Sequence, residues 1–101
     1  TGIAHTYMAA EVLENTGKAM GVLVKVETHG SIGIENKLTH HDIEESVGCI
    51  IASDIRIDKT RFIGKPMIEV SIKQGIMEAS ALIQQLLDGY VKVYQDHGDL
   101  S

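Results

Sequence analysis

In Thr1-Gly2-Ile3-Ala4-His5-Thr6, two hydroxyls, a glycine and a histidine crowd into the start of a helical pattern. A helix start presents up to four N–H groups without intrahelical partners and a partial positive charge, which suits phosphate or another anion. Gly2 lets the backbone approach such a ligand closely. The Thr1 and Thr6 hydroxyls can donate further hydrogen bonds, and His5 can donate a hydrogen bond or, when charged, a proton. The alternative is an N-cap motif that only starts a helix, since Thr and Gly are common there. No Gly-Lys-Ser/Thr follows, which disfavours a nucleotide P-loop, and the glycine spacing does not fit a dinucleotide fingerprint.

The other reactive side chains are more scattered. Cys49 lies in the apolar run Gly48-Cys49-Ile50-Ile51, where a thiol acts as a small hydrophobe. His40 and His41 are adjacent, so on a helix they point about 100° apart; with no Cys or third His nearby they read as solvated positions and not as a metal pair. Asp54 follows an apolar strand pattern and so falls at the carboxyl end of a sheet, near a site or in a simple turn. Glu35-Asn36 either caps the next segment or touches a partner.

These residues need elements to hold them. Ala4, Met8, Val12, Thr16, Ala19 and Met20 recur at helical spacing and predict a helix over 4–20, stopped by Gly21. The β-branched run 22–28 predicts a strand covered on both faces, followed by a loop over 29–36. Thr39, with Asp42 three residues on, predicts a capped helix over 40–46. The apolar run 47–52 predicts a central strand, 58–63 a turn of helix, and 67–71 a strand with Pro66 at its start. Ile76, Ala79, Ile83, Leu86, Leu87, Tyr90, Val91 and Tyr94 predict one long final helix over 76–94, with Gly89 interrupting it and a fraying tail over 95–101. Alternating helices and short apolar strands predict an α/β fold with a parallel sheet and helices on both faces. In that architecture a central strand should feed the opening helix, so the pattern begins one element late.

Composition narrows the function. At 101 residues with 44% hydrophobic residues, the chain has material for one domain and one modest core. Its net charge is −5 and its nine Lys and Arg are scattered, which argues against a nucleic-acid partner. The single cysteine leaves no internal disulfide and fits a reducing compartment. With no apolar stretch of membrane-spanning length and no signal-peptide pattern, the expectation is a cytoplasmic domain.

Two blocks are more specific than any single motif. Thr1-Gly2-Ile3-Ala4-His5-Thr6-Tyr7-Met8-Ala9-Ala10-Glu11 closely resembles the start of the fructose-family enzyme IIB component of the bacterial sugar phosphotransferase system (PTS). Val24-Lys25-Val26-Glu27-Thr28-His29-Gly30-Ser31-Ile32-Gly33-Ile34-Glu35-Asn36 resembles the family's next signature, and Leu38-Thr39, Asp42-Ile43 and the segment from Arg61 to Lys65 continue the match. The resemblance implies a Rossmann-like, three-layer αβα domain with a four-stranded parallel sheet, of which the first strand would precede Thr1. It implies a phosphoryl carrier that takes its group from a IIA phosphohistidine onto the cysteine of a Cys-Pro step (or Cys with another small residue) preceding the Thr-Gly, and passes it to fructose or a similar sugar held by the membrane IIC partner. No cofactor or metal is implied. The phosphoryl-binding residues would be Thr1, Gly2, Ile3, Ala4, His5 and Thr6, with His29 and Asp54 behind them; His29 stands where the family usually has Gln. A thiolate at a helix start is a better nucleophile, and backbone N–H groups can hold its phosphoryl group without an Arg clamp; no Arg occurs before Arg56. A chain starting at Thr1 would expose strand edges and is expected to fold poorly alone. A second reading is a regulatory module that keeps this fold without the chemistry. A phosphatase is disfavoured by the missing Arg after the loop.

Overall fold

The computed structural model describes residues 2–95; the expectations for Thr1 and for the tail beyond Gln95 lie outside them. Helix α1 spans Gly2–Ala19, so the anticipated tight turn is already helix. Gly21 ends it at φ +77, with the Val22 N–H closing back on the Gly17 carbonyl at 2.9 Å. The buried row of α1 is Ala9, Leu13 and Gly17, not the anticipated Ala4–Met8 stripe, and Met8 is half exposed. The reason is a close crossing: a Cβ on Gly17 would stand 2.4 Å from Val24 Cγ2, so only this face can approach the chain that follows.

That following segment departs from expectation. In residues 22–26, Val22, Val24 and Val26 are half-buried while Leu23 and Lys25 are exposed, the alternation of a strand. Among the described residues it pairs with no neighbour, because the position beside it is an open groove. Pairing begins only at β1 (Thr28–Gly30), which turns back antiparallel onto β2 (Gly33–Glu35), with His29 opposite Ile34. The anticipated loop is thus a short hairpin, made tight by Gly33 at φ +113.

Helix α2 (His40–Glu45) starts as expected. The Asp42 N–H donates to Thr39 Oγ1 at 3.0 Å, and the Thr39 N–H donates to Asp42 Oδ2 at 2.9 Å. Lys65 Nζ caps its other end on the Glu44 and Ser46 carbonyls at 2.7 and 2.8 Å. Strands β3 (Cys49–Ala52) and β4 (Met67–Val70) pair in parallel, as the alternating pattern predicts. Between them a 3₁₀ turn spans Thr60–Phe62 and buries Phe62.

The single long C-terminal helix is replaced by two. Ser71 accepts from the Gln74 N–H and starts α3 (Ile72–Met77); α4 (Ala79–Asp88) follows and ends at Gly89, φ +78. An αL residue cannot continue a helix, and the chain beyond pairs along 64–67 instead. The Tyr94 N–H donates to the Lys65 carbonyl at 2.9 Å and the Met67 N–H to the Lys92 carbonyl at 3.1 Å. The core lies where α1, α3 and α4 meet: Leu13, Ala79 and Ile83, with Val22, Val24, Val26 and Ile50 packed on it.

Candidate functional site

Eighteen residues of helix extend about 27 Å, so α1 runs back along residues 22–30. Its first turns therefore return to the far end of that segment. Tyr7 on α1 donates a hydrogen bond to Glu35 of β2, and a Cβ on Gly30 would lie 4.0 Å from the Tyr7 hydroxyl. The start of α1 and the β1–β2 hairpin thus share one end of the molecule.

Beside them opens an apolar groove of about 1190 Å³. Val22, Val24 and Val26 line one side, Cys49, Ile50, Ile51 and Ala52 the other, and Thr6, His29 and Asp54 also reach it. Of the candidate phosphoryl-binding residues, Gly2 and Ile3 lie in the backbone of the first turn of α1, Ala4 and His5 are exposed, and Thr6 is half-buried on the groove. Asp54 has a structural task there: its Oδ1 accepts from the Ile72 N–H at 3.2 Å and holds the start of α3. His40 sits on the surface against Glu44.

Behind His29 stands a cluster that residue spacing did not reveal. Arg61 grips Glu27 through two bonds, Nη1–Oε1 at 3.0 Å and Nη2–Oε2 at 2.7 Å. The Leu38 N–H donates to Glu27 Oε1 at 2.9 Å, and His29 Nε2 lies 2.5 Å from Glu27 Oε2. The Glu27 side chain is 6% exposed. Burial alone would raise its pKa; the bonds from Arg61, His29 and Leu38 outweigh that and bring it down to about 2. Glu27 and Arg61 are 34 positions apart, so their only signal in the sequence is that both lie in the blocks carrying the family resemblance.

Cys49 fits the expected inert role. It starts β3, away from the strand's carboxyl end, and burial pushes its thiol up to about 11 although Lys65 pulls the other way. Iodoacetamide at pH 8 should therefore alkylate Cys49 in the folded protein roughly two orders of magnitude more slowly than in urea, where a thiol titrates at about 8.5. Equal rates, followed by mass spectrometry, would refute an inert Cys49.

The profile of the family described as "PTS system, Lactose/Cellobiose specific IIB subunit" matches residues 1–85. The chain is 42% identical over 98 residues to the PTS system fructose-specific EIIABC component of Bacillus subtilis, covering 97% of this chain but only 15% of that protein. It is 46% identical over 87 residues to the fructose-like EIIB component 2 of Escherichia coli K12, covering 85% of this chain and 82% of that one. A solved domain of the fructose-specific IIABC component of Borrelia burgdorferi superposes with TM-score 0.85 at 41% identity, covering 92% of this chain and 88% of that one. A domain of the Bacillus subtilis fruA protein gives 0.84 at 39%, covering 89% and 88%. The fold agrees with these domains even where the described residues form two small sheets. By sequence and by fold, the chain belongs to the PTS IIB family.

Proposed function

We propose that this domain carries a phosphoryl group in uptake of fructose or a similar sugar, taking it from a IIA phosphohistidine and handing it to the sugar at IIC. The acceptor is a cysteine one or two residues before Thr1, at the end of a strand that fills the groove. The groove is the observation that carries this reading. Among the described residues, 22–26 have no partner strand, β3 has one only on its β4 side, and the space between them is apolar and is lined by Thr6 of α1. A strand laid there delivers its last residue to the helix N-terminus, where backbone N–H groups stabilise a thiolate and then its phosphoryl group. In the first step the thiolate attacks phosphorus, the S–P bond forms and the P–N bond breaks, leaving the histidine nitrogen to take up a proton. In the second a sugar hydroxyl attacks, the O–P bond forms as the S–P bond breaks, the hydroxyl proton passes to solvent and the thiolate leaves.

Gly2, Ile3, Ala4, His5 and Thr6, with Thr1 ahead of them, surround that group in this reading. The sugar rests on the relatives' names, which say fructose, whereas the family's description names lactose and cellobiose. Among the described residues no helix is long and apolar enough to cross a membrane; we place the domain in the cytoplasm, at the membrane's inner face through IIC. The test uses the gene product that includes the residues encoded before Thr1, mixed with phosphorylated IIA. Protein-bound counts are taken at neutral pH after separation from IIA, with and without iodine, and the site is mapped by mass spectrometry. An iodine-labile phosphocysteine just before Thr1 is expected, and residues 1–101 alone should take no phosphate. Phosphate on Cys49, on a histidine, or nowhere would refute the carrier reading.

A further inference from the structure

Among the described residues one buried side-chain polar atom has no hydrogen-bond partner, the hydroxyl oxygen of Thr28. Thr28 is 6% exposed, and a buried hydroxyl without a partner is costly enough that folded proteins rarely keep one. Its neighbours Glu27, His29 and Glu35 are each engaged, the first two with one another and the third with Tyr7. Residues 22–28 alternate in face. Val22, Val24 and Val26 pack on the core beneath α1, whereas Glu27 turns the other way, to Arg61 of the 3₁₀ turn. Thr28 therefore shares the face of the three valines, and it lines the groove with them.

We propose that the Thr28 hydroxyl hydrogen-bonds the end of the strand that fills the groove, and is a positioning residue for the acceptor cysteine. This rests on the carrier reading. The direction of α1 gives the end concerned. Helix α1 runs back along residues 22–30 and brings Tyr7 to Gly30, so a strand that leads into it runs parallel to 22–28 and ends at the level of β1. Neighbouring strands lie about 4.8 Å apart, within reach of a side-chain hydrogen bond. The sheet ladder uses the N–H and C=O groups that lie in its plane. A hydroxyl on the face toward α1 stands out of that plane and meets the connection that climbs from the strand to the helix. That connection carries the cysteine and the Thr-Gly. Once tied down, it keeps the sulfur at the N–H groups of α1, which stabilise a thiolate. The hydroxyl keeps its own proton throughout, and no covalent bond to Thr28 forms.

The test uses the gene product with its upstream residues. Thr28→Val keeps the shape and removes the hydroxyl, whereas Thr28→Ser keeps the hydroxyl. In Thr28→Val, iodoacetamide alkylation of the acceptor cysteine, mapped by mass spectrometry, should slow roughly tenfold at pH 6 and hardly change at pH 9, where the thiol is ionised either way. Maximal transfer from phosphorylated IIA should fall roughly tenfold with the KM for IIA unchanged, because a misplaced reacting atom slows the step and leaves the docking surface intact. Thr28→Ser should restore both. In the wild type, NMR should show NOEs from the Thr28 side chain to the residues encoded just before Thr1, a readout that needs no variant to fold. If the wild type takes no phosphate on cysteine, the carrier reading fails and this inference with it. If it does, but those NOEs are missing, or Thr28→Val matches the wild type in alkylation or transfer, or Thr28→Ser fails as Thr28→Val does, this inference alone is overturned.

Discussion

Replacing Arg61 with alanine should destabilise the protein by about 3 kcal/mol at pH 7 and flatten its response to acid. Arg61 makes two of the three side-chain bonds to Glu27, His29 making the other, and Glu27 is 94% enclosed by its surroundings. Removing one partner of such a pair leaves an uncompensated buried charge, at a cost of about 3–5 kcal/mol. The lower end applies because Arg61 itself is 30% exposed. In the wild type the folded pKa of Glu27 lies near 2, below the ordinary carboxylate value of 4.5. Its ion pair therefore contributes fully above pH 4.5, worth about 3 kcal/mol, and that contribution is lost as pH falls toward 2. Without Arg61 the bonds from His29 and the Leu38 N–H offset less of the burial, so the folded pKa moves up toward the unfolded value and acidification should cost the variant less stability than it costs the wild type. Urea unfolding at pH 7, 5 and 3 separates the two slopes. An Arg61→Ala protein with the wild-type midpoint at pH 7, or one that weakens on acidification as the wild type does, would show that the pair does not hold β1 to the 3₁₀ turn. Arg61→Lys should recover only part of the loss, since an ammonium cannot make the two parallel bonds.

Gly48→Ala is expected to cost about 2 kcal/mol, the range for forcing an extra methyl into a packed site. Gly48 needs no unusual dihedral; its constraint is space. A Cβ there would stand 2.5 Å from Leu86 Cδ2 and 2.8 Å from the Pro66 carbonyl oxygen. Leu86 can swing its far end aside, but the Pro66 carbonyl is fixed by the Cys49 N–H at 2.8 Å, the bond that opens the β3–β4 ladder. The urea midpoint should fall with an unchanged slope, and Gly48→Ala/Leu86→Ala should recover little, because the backbone clash persists. A Gly48→Ala protein within about 0.5 kcal/mol of wild type would mean that β3 and β4 are not held this closely. By contrast, Gly30→Ala adds a methyl 4.0 Å from the Tyr7 hydroxyl, an ordinary contact, and serves as the control for stability.

Local signals in the sequence were read correctly where one or two side chains act on their own backbone. Gly21 stops α1, Thr39 and Asp42 start α2, and the apolar run at β3 pairs in parallel with β4. The misreadings share a cause. The stripe on α1 was drawn through the larger side chains, whereas a glycine, Gly17, sets the face that packs. The C-terminal stripe continued past Gly89, but an αL turn there and the backbone of residues 64–67 take the chain away from the helix. Residues 22–26 have the alternation of a strand, yet hydrogen bonding needs a neighbour that no local pattern supplies.

The sequence by itself determined the family and, apart from the β1–β2 hairpin and the split of the final helix, the order of elements. Two long blocks of residues carry both, and their amino-acid types are visible without a fold. It also offered the candidate phosphoryl-binding residues 1–6, with His29 and Asp54 behind them, but not the pairing of Glu27 with Arg61. The tertiary structure alone decided what those residues face. It turned Asp54 to the start of α3, enclosed Glu27 against an arginine 34 positions away, and brought one nitrogen of His29 onto the same carboxylate. Burial and ion pairing are properties of distance in space. A loop histidine and a half-buried one held by a carboxylate are spelled identically in sequence, and only the folded chain tells them apart.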